Sequence, residues 1–287
     1  MSEVYVVTDS AAKIDPVVAK ELNITIVPLK VRIGERVYED GTELNHEELL
    51  LRMARERIRP EIVGPTADDF RDVYRRITRR TDQIISIHSS ASLSPICDAA
   101  RRASLEFMGR CDIIVMDSET LSLGLGILAE EAARQAQASV PLNEIMRKIR
   151  GMIQQVYIVL TTNTLDYLEH SGLISPAQAI LGTMLGIKPH LAIENGMIIP
   201  MEKVNSRDKA IDKLADFANE FISVERIAII QSTPYPTEET KDLQDQLEDV
   251  APSPDIPVLL YGPLLASHIG PDGIGVIVYE QREEIRF

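Results

Sequence analysis

Residues 83–118 read QIISIHSSASLSPICDAARRASLEFMGRCDIIVMDS, and this stretch decides the fold. Gln83–His88 is a short apolar run that breaks into serines, the pattern of a buried strand ending in a polar loop. A helical segment follows, with Ser94 at the N-cap position and Pro95 behind it. Cys111–Ser118 is a second apolar run with a polar end. Strands that are apolar at nearly every position, alternating with helices, imply a parallel sheet covered on both faces.

The same alternation extends outward. Glu3–Asp9 (EVYVVTD) reads as a buried strand ending at Thr8-Asp9-Ser10, and Asp15 caps a helix that starts at Pro16. Residues 24–34 are strand-like, and two arginine-rich helical segments follow at 47–57 and 66–80. LGLGILAEEAARQAQ and PLNEIMRKIRGMIQQ read as helices. Beyond Gln154–Gln155 the texture changes. VYIVLTTN is a strand, and two helices separated near Gly172 follow it. KPHLAIENGMIIP is a hairpin turning at Asn195-Gly196, the dipeptide favoured in type I′ turns. A helix at 206–221, a strand at 226–230, an acidic helix at 237–247 and two strands around LLASHIGPDGIGV complete the chain. The expectation is an α/β domain over residues 1–154 and an α+β domain over 155–287.

Composition excludes several classes. A formal charge of −14 argues against nucleic acid and anionic membrane as general partners. The longest charge-free stretch, Ser171–Ile187, is too short and too polar to span a bilayer. MSEVYVVTDS has neither the basic nor the apolar region of a signal peptide, so a cytoplasmic location is expected. Cys97 and Cys111 fit a reduced compartment and make no metal spacing. His46, His88, His170 and His190 show no ligand spacing either, so no metal is expected and these are read as structural or surface residues. No Walker A, G-x-G-x-x-G or G-x-S-x-G motif is present, and no cofactor is implied.

Ligands of open α/β sheets bind beyond the carboxyl ends of the strands. Three such ends are available: Thr8-Asp9-Ser10, His88–Pro95 and Asp117-Ser118. The middle one is richest. It offers hydroxyls from Ser89, Ser90, Ser92 and Ser94 just before a helix N-terminus, a combination suited to an anion, although N-capping alone explains it equally well. His268 stands beside GPDGIG, where Gly270 and Gly273 permit close backbone approach. An imidazole there could donate to an anion held by the serines. A Ser–His–Asp arrangement of Ser94, His268 and Asp117, serving a hydrolase or transferase, is the alternative from a different class, and no spacing supports it.

These motifs, taken together and in order, resemble the DegV family of bacterial fatty-acid-binding proteins. VTDS at Val7–Ser10 resembles the family's opening, and SSASLSP its serine motif S-S-x-L-S-G-T. MDSETLSLGLG matches V-x-D-S-x-x-x-S-x-G-x-G. LDYLEHSGLIS with LGIKPHL, and finally HIGPDGIGV, are similar to the family's later motifs, so the resemblance runs from Val4 to Tyr279. It implies a two-domain fold that buries one long-chain fatty acid between the domains, with the carboxylate held by serines of the loop and by His268. Ser90, Ser92 and Ser94 are the candidate serines, and Gly270 belongs to the turn beside His268. Where the family has T-S-Q-P, this chain has Ile62, Val63 and Gly64 before Pro65, so a threonine donor is missing and Ile62 and Val63 stand at the site in its place. Whether Thr66 substitutes is open at this point. Leu173 and Asn205 replace arginines with which family members dock a fatty acid kinase, which puts that partner in question while leaving acyl binding intact. The aliphatic segments LSLGLGIL and AILGTMLGI are candidates for lining the tail.

Overall fold

The computed structural model describes residues 3–281; the last residues of the expected second domain, 282–287, lie outside the described part. The chain forms two compact units. One comprises residues 3–45, 60–154 and 195–197, the other residues 46–59, 155–194 and 198–281. This division departs from a single cut at 154–155 at two segments: residues 46–59, which include the helix at His46–Glu56, group with the C-terminal unit, and residues 195–197 with the N-terminal one.

In chain order the elements through residue 153 are β1 (Tyr5–Asp9), α1 (Pro16–Glu21), β2 (Ile24–Val27), β3 (Lys30–Ile33), β4 (Arg36–Glu39), α2 (His46–Glu56), β5 (Glu61–Gly64), α3 (Ala67–Ile77), β6 (Gln83–His88), α4 (Ile96–Ser104), β7 (Asp112–Asp117), α5 (Ser122–Gln137) and α6 (Leu142–Ile153). The remainder are β8 (Val156–Thr161), α7 (Asp166–His170), α8 (Pro176–Met184), β9 (Lys188–Glu194), β10 (Met197–Val204), α9 (Arg207–Ala218), β11 (Val224–Gln231), α10 (Glu238–Leu247), β12 (Val258–Leu260), α11 (Pro263–Ile269) and β13 (Ile274–Glu280).

The first unit is built on a parallel sheet in the order β2-β1-β6-β7. Ile84–His88 are buried at every position, so both faces of β6 are covered, as the continuous apolar run requires. Helix α3 packs with α4 and α5 with α6, and helices of both pairs lie against the sheet. The chain leaves β1 toward β2 on one side and β6 toward β7 on the other. The topological switch point therefore lies between β1 and β6, where ligand crevices form in sheets of this kind. Asp15 caps α1 as expected, accepting from the Val17 N–H at 2.7 Å.

A small antiparallel sheet, β4-β3-β5, was not expected from the sequence. Its strand β5 is four residues long and places Ile62 opposite Val31. Residues 24–34 split at Pro28 into β2 and β3, which belong to different sheets.

The second unit carries a mixed six-stranded sheet in the order β10-β9-β8-β13-β11-β12. Val159, Ala192, Ile229 and Val276 on one face pack with Ile211, Leu214 and Ala215 of α9 and Leu243 and Leu247 of α10. The β9–β10 turn has φ of 48° at Asn195 and 78° at Gly196, the left-handed pair that the Asn-Gly dipeptide predicts. The other difference from expectation is α11. LLASHI is a helix entered at Pro263, so His268 sits in its last turn rather than in the glycine turn itself. Five of its seven residues are buried, leaving no polar stripe to reveal the helix in the sequence.

Candidate functional site

At the switch point the carboxyl ends of β1 and β6 meet in register, Val7 opposite Ser86, which puts Asp9 beside His88. Both side chains are fully buried. The Asp9 carboxylate accepts from four donors: the Ala11 N–H at 3.0 Å, the Ser89 N–H at 2.9 Å, the Ser89 hydroxyl at 3.3 Å and His88 Nδ1 at 3.1 Å. Because the carboxylate only accepts, Nδ1 carries the His88 proton. With the imidazole neutral, Nε2 accepts from Ser86 Oγ at 2.7 Å, and Ser86 in turn accepts from Tyr74 at 2.8 Å. Burial holds the Tyr74 phenol well above its usual range, so it remains a neutral donor.

This chain has the connectivity of a Ser–His–Asp triad, with Ser86 in the nucleophile's place. Ser86 is completely buried in the middle of a strand, and its oxygen is already occupied by Tyr74. The relay therefore fixes the loop after β6 and offers no reachable nucleophile. The structural reading of His88 from the sequence agrees with this placement. What the sequence did not reveal is its pairing with Asp9.

The serines of the loop divide by what their hydroxyls do. Ser89 donates to Asp9. Ser90 donates to the Gly196 carbonyl at 2.7 Å and accepts from the Ser92 N–H at 3.1 Å. The Ser92 side chain is exposed. Ser94 is 7 % exposed and makes only marginal contacts, 3.5 Å to the Ser90 carbonyl and 3.5 Å to Ser89 Oγ. Ser94 is not the cap of α4. The N-cap is Pro95, which makes no side-chain bond, because the turn over residues 90–94 directs the Ser94 hydroxyl back toward the loop. Asp117, from the alternative triad, anchors the same loop through the Ala91 and Glu119 N–H groups.

Thr66 is exposed and caps α3 in a reciprocal box with Asp69. Its hydroxyl donates to the Asp69 carboxylate at 2.7 Å. Burial pushes the Asp69 carboxyl up, but Lys30 at 2.7 Å and the donors of Thr66 together hold it below its ordinary value. The Thr66 proton is thus already committed. Ile62 and Val63 are half-buried on β5.

His268 and Gly270 lie in the second unit. Gly270 has φ of 85°, and a Cβ there would sit 2.6 Å from the Tyr167 ring, so this position admits glycine alone. The second unit also contains an apolar cavity against α7, α8, β9 and β10. Leu168, Leu173, Ile174, Leu181, Leu185 and Leu191 line it, with Glu202 and Lys203 among its few polar neighbours. Strand alternation turns Leu191 to the cavity and Ala192 to the α9 core. AILGTMLGI contributes Leu181, Gly182, Leu185 and Ile187 to this cavity. LSLGLGIL does not line it: Leu125 and Leu128 are fully buried in the core of the first unit. Helix α8 and the residue after it leave Ile180, Leu181, Met184 and Leu185 each more than half exposed. Leu173 is a cavity wall, and Asn205 is exposed.

The sequence profile of the family described as "Uncharacterised protein, DegV family" matches residues 3–281. This chain belongs to the DegV family. A DegV domain-containing protein of Streptomyces coelicolor is 34% identical over 278 residues, covering 96% of this chain and 98% of the relative. Among solved structures, a DegV family protein from Thermus thermophilus described for fatty acid binding superposes with a TM-score of 0.83 at 26% identity, over 97% of this chain and 100% of that one. DegV of Bacillus subtilis, described as a fatty acid binding protein, gives a TM-score of 0.83 at 25% identity, over 98% of this chain and 100% of that one. The DegV fold of this chain is thereby established, and its mixed α/β architecture follows.

Proposed function

We propose that this DegV protein binds one long-chain fatty acid, with the tail in the apolar cavity of the second unit and the carboxylate received by Ser94 and His268. The observation that carries this reading is the cavity, whose walls are aliphatic and whose position falls on the family's own motif segments. The fatty-acid-binding relatives from Thermus thermophilus and Bacillus subtilis support the ligand class. Ser94 is favoured over Ser90 because its proton is not engaged in a short bond.

The energetics fit a carrier. About 14 buried methylenes contribute roughly 11 kcal/mol gross, from which association and ordering remove several. A charge-assisted bond at the head group adds about 1.5–3 kcal/mol. The tail supplies affinity and the head group orientation, so loss of the family's threonine donor is tolerated. We read the protein as a binder rather than an enzyme, since the triad-like relay at Asp9, His88 and Ser86 is sealed. No cofactor beyond the lipid is invoked. Presentation of the carboxylate to a fatty acid kinase is the finer proposal, and Leu173 and Asn205 require any such docking to use other residues. A cytoplasmic setting is consistent with the free thiols of Cys97 and Cys111 and with the lack, among the described residues, of a helix long and apolar enough to cross a membrane.

The test is extraction of the purified protein followed by mass spectrometry, together with displacement of a fluorescent fatty acid by palmitate and by hexadecan-1-ol. About one long-chain acid per chain is expected. His268→Ala should weaken palmitate by about tenfold to a hundredfold and the alcohol much less. Repeated absence of lipid and of displacement would end the proposal.

A further inference from the structure

His268 stands in the last turn of α11, a helix of seven residues. A helix this short cannot hold itself in place, because nucleation costs more than so few turns return. Something else must fix the direction of the imidazole. The chain around it is gripped by two buried hydroxyls. Tyr261, 1 % exposed, precedes the helix, yet its hydroxyl reaches across to the turn that follows. It donates to the Gly270 carbonyl at 2.7 Å and accepts from the Gly273 N–H at 3.1 Å. Thr162, fully buried just beyond β8, shares its single proton between the Ile269 carbonyl at 3.0 Å and the Asp272 carboxylate.

The two clamps meet the turn at every residue from Ile269 to Gly273 except Pro271. Burial holds the Tyr261 phenol far above its usual range, so its donor is present at any working pH. Behind the turn, Arg207 is fixed on Glu239 by bonds of 3.0, 3.2 and 3.0 Å and reaches the Asp272 carbonyl at 3.4 Å. The Tyr261 clamp also closes the chain on itself: one phenol ties the entry of α11 to its exit, with His268 between them.

We propose that Tyr261 and Thr162 are positioning residues for His268, setting the orientation of its imidazole toward the ligand carboxylate. This rests on the fatty-acid reading above. Tyr261→Phe leaves the Gly270 carbonyl and the Gly273 N–H buried and unbonded, so the turn must shift to recover partners. The ring and its packing stay. The loss should therefore fall on carboxylate recognition and spare the tail.

The experiment measures palmitate and hexadecan-1-ol by fluorescent displacement for wild type, Tyr261→Phe, His268→Ala and the double variant. Tyr261→Phe should weaken palmitate by about tenfold and leave the alcohol within about twofold. In the His268→Ala background the second substitution should add nothing to the palmitate loss, because the residue it positions is gone. Equal losses for acid and alcohol, or full additivity in the double variant, would overturn the proposal and assign Tyr261 to general stability. If His268→Ala alone leaves palmitate binding unchanged, the carboxylate assignment itself fails and the positioning role falls with it. Should Tyr261→Phe not fold, Thr162→Val against Thr162→Ser makes the same comparison. Serine should restore the preference for the acid over the alcohol, and equal behaviour of the two variants would overturn the proposal.

Discussion

Ser90 and Ser94 lie in one loop and look interchangeable in the sequence, but the structure gives them opposite work. Consider each replaced by alanine. Removing the Ser90 hydroxyl strips a 2.7 Å bond from the buried Gly196 carbonyl and a 3.1 Å acceptor from the Ser92 N–H. A buried carbonyl left bare costs about 1–3 kcal/mol, and the second bond about 0.5–1.5 kcal/mol, of which water recovers part at the exposed Ser92. The net expectation is about 2–3 kcal/mol. For a unit of this size that is a fall in Tm of about 5–10 °C. Removing the Ser94 hydroxyl breaks only contacts of 3.5 Å, at the edge of what counts as a hydrogen bond, so its stability cost should stay under about 0.5 kcal/mol. Its effect should appear in binding, as a palmitate affinity lower by about tenfold to a hundredfold with the alcohol little changed. Thermal unfolding by circular dichroism and the displacement assay separate the two outcomes. The reasoning is refuted if Ser94→Ala melts as low as Ser90→Ala, or if Ser90→Ala alone loses preference for the acid.

Two further outcomes follow from groups away from the ligand. Asp9→Asn places an amide where four donors converge, so at least one N–H faces another; it should destabilise by about 3 kcal/mol and speed hydrogen exchange in residues 88–94, while unchanged exchange there would remove Asp9 as the loop's anchor. Burial holds the His190 pKa below its ordinary 6.5, with Glu202 opposing and Lys213 reinforcing the shift; the unfolded chain therefore binds the extra proton first, stability falls as pH drops below about 6.5 toward the folded value, and His190→Gln should flatten melting temperatures between pH 7 and 5 relative to wild type.

Much of the fold was legible because its signals were local. The strand at 83–88 is buried at every position after Gln83, and its continuous apolar run reports that directly; the equally apolar run at 112–117 forms an edge strand that is largely half-buried, with Met116 buried. Asp15-Pro16 and Asn195-Gly196 carry their own backbone geometry, and both appear as read. The elements that escaped lack such signals. Strand β5 is four residues between Pro60 and Pro65, and only β3 makes it a strand. Helix α11 is buried on too many sides to display a period. The cap expected at Ser94 failed because a hydroxyl before a helix can bond backward as well as forward, and here the turn at Ser90 decides.

The site was legible only to the level of segments. LSLGLGIL and AILGTMLGI are equally aliphatic, yet one is core and the other a cavity wall; burial, not composition, separates them. Asp9 and His88 lie 79 positions apart, and nothing in their spacing joins them until β1 and β6 pair in parallel. That pairing has a consequence for recognition. Asp9 takes the Ser89 proton, Gly196 takes that of Ser90, and Asp69 takes that of Thr66. Each of these hydroxyls holds a loop in place and is thereby unavailable to a ligand. The loop's rigidity and its donor capacity draw on the same few protons, so a serine-rich sequence yields few free donors. Under the proposed reading this leaves Ser94 and His268 to recognise the carboxylate, and it explains why an aliphatic cavity must provide most of the affinity.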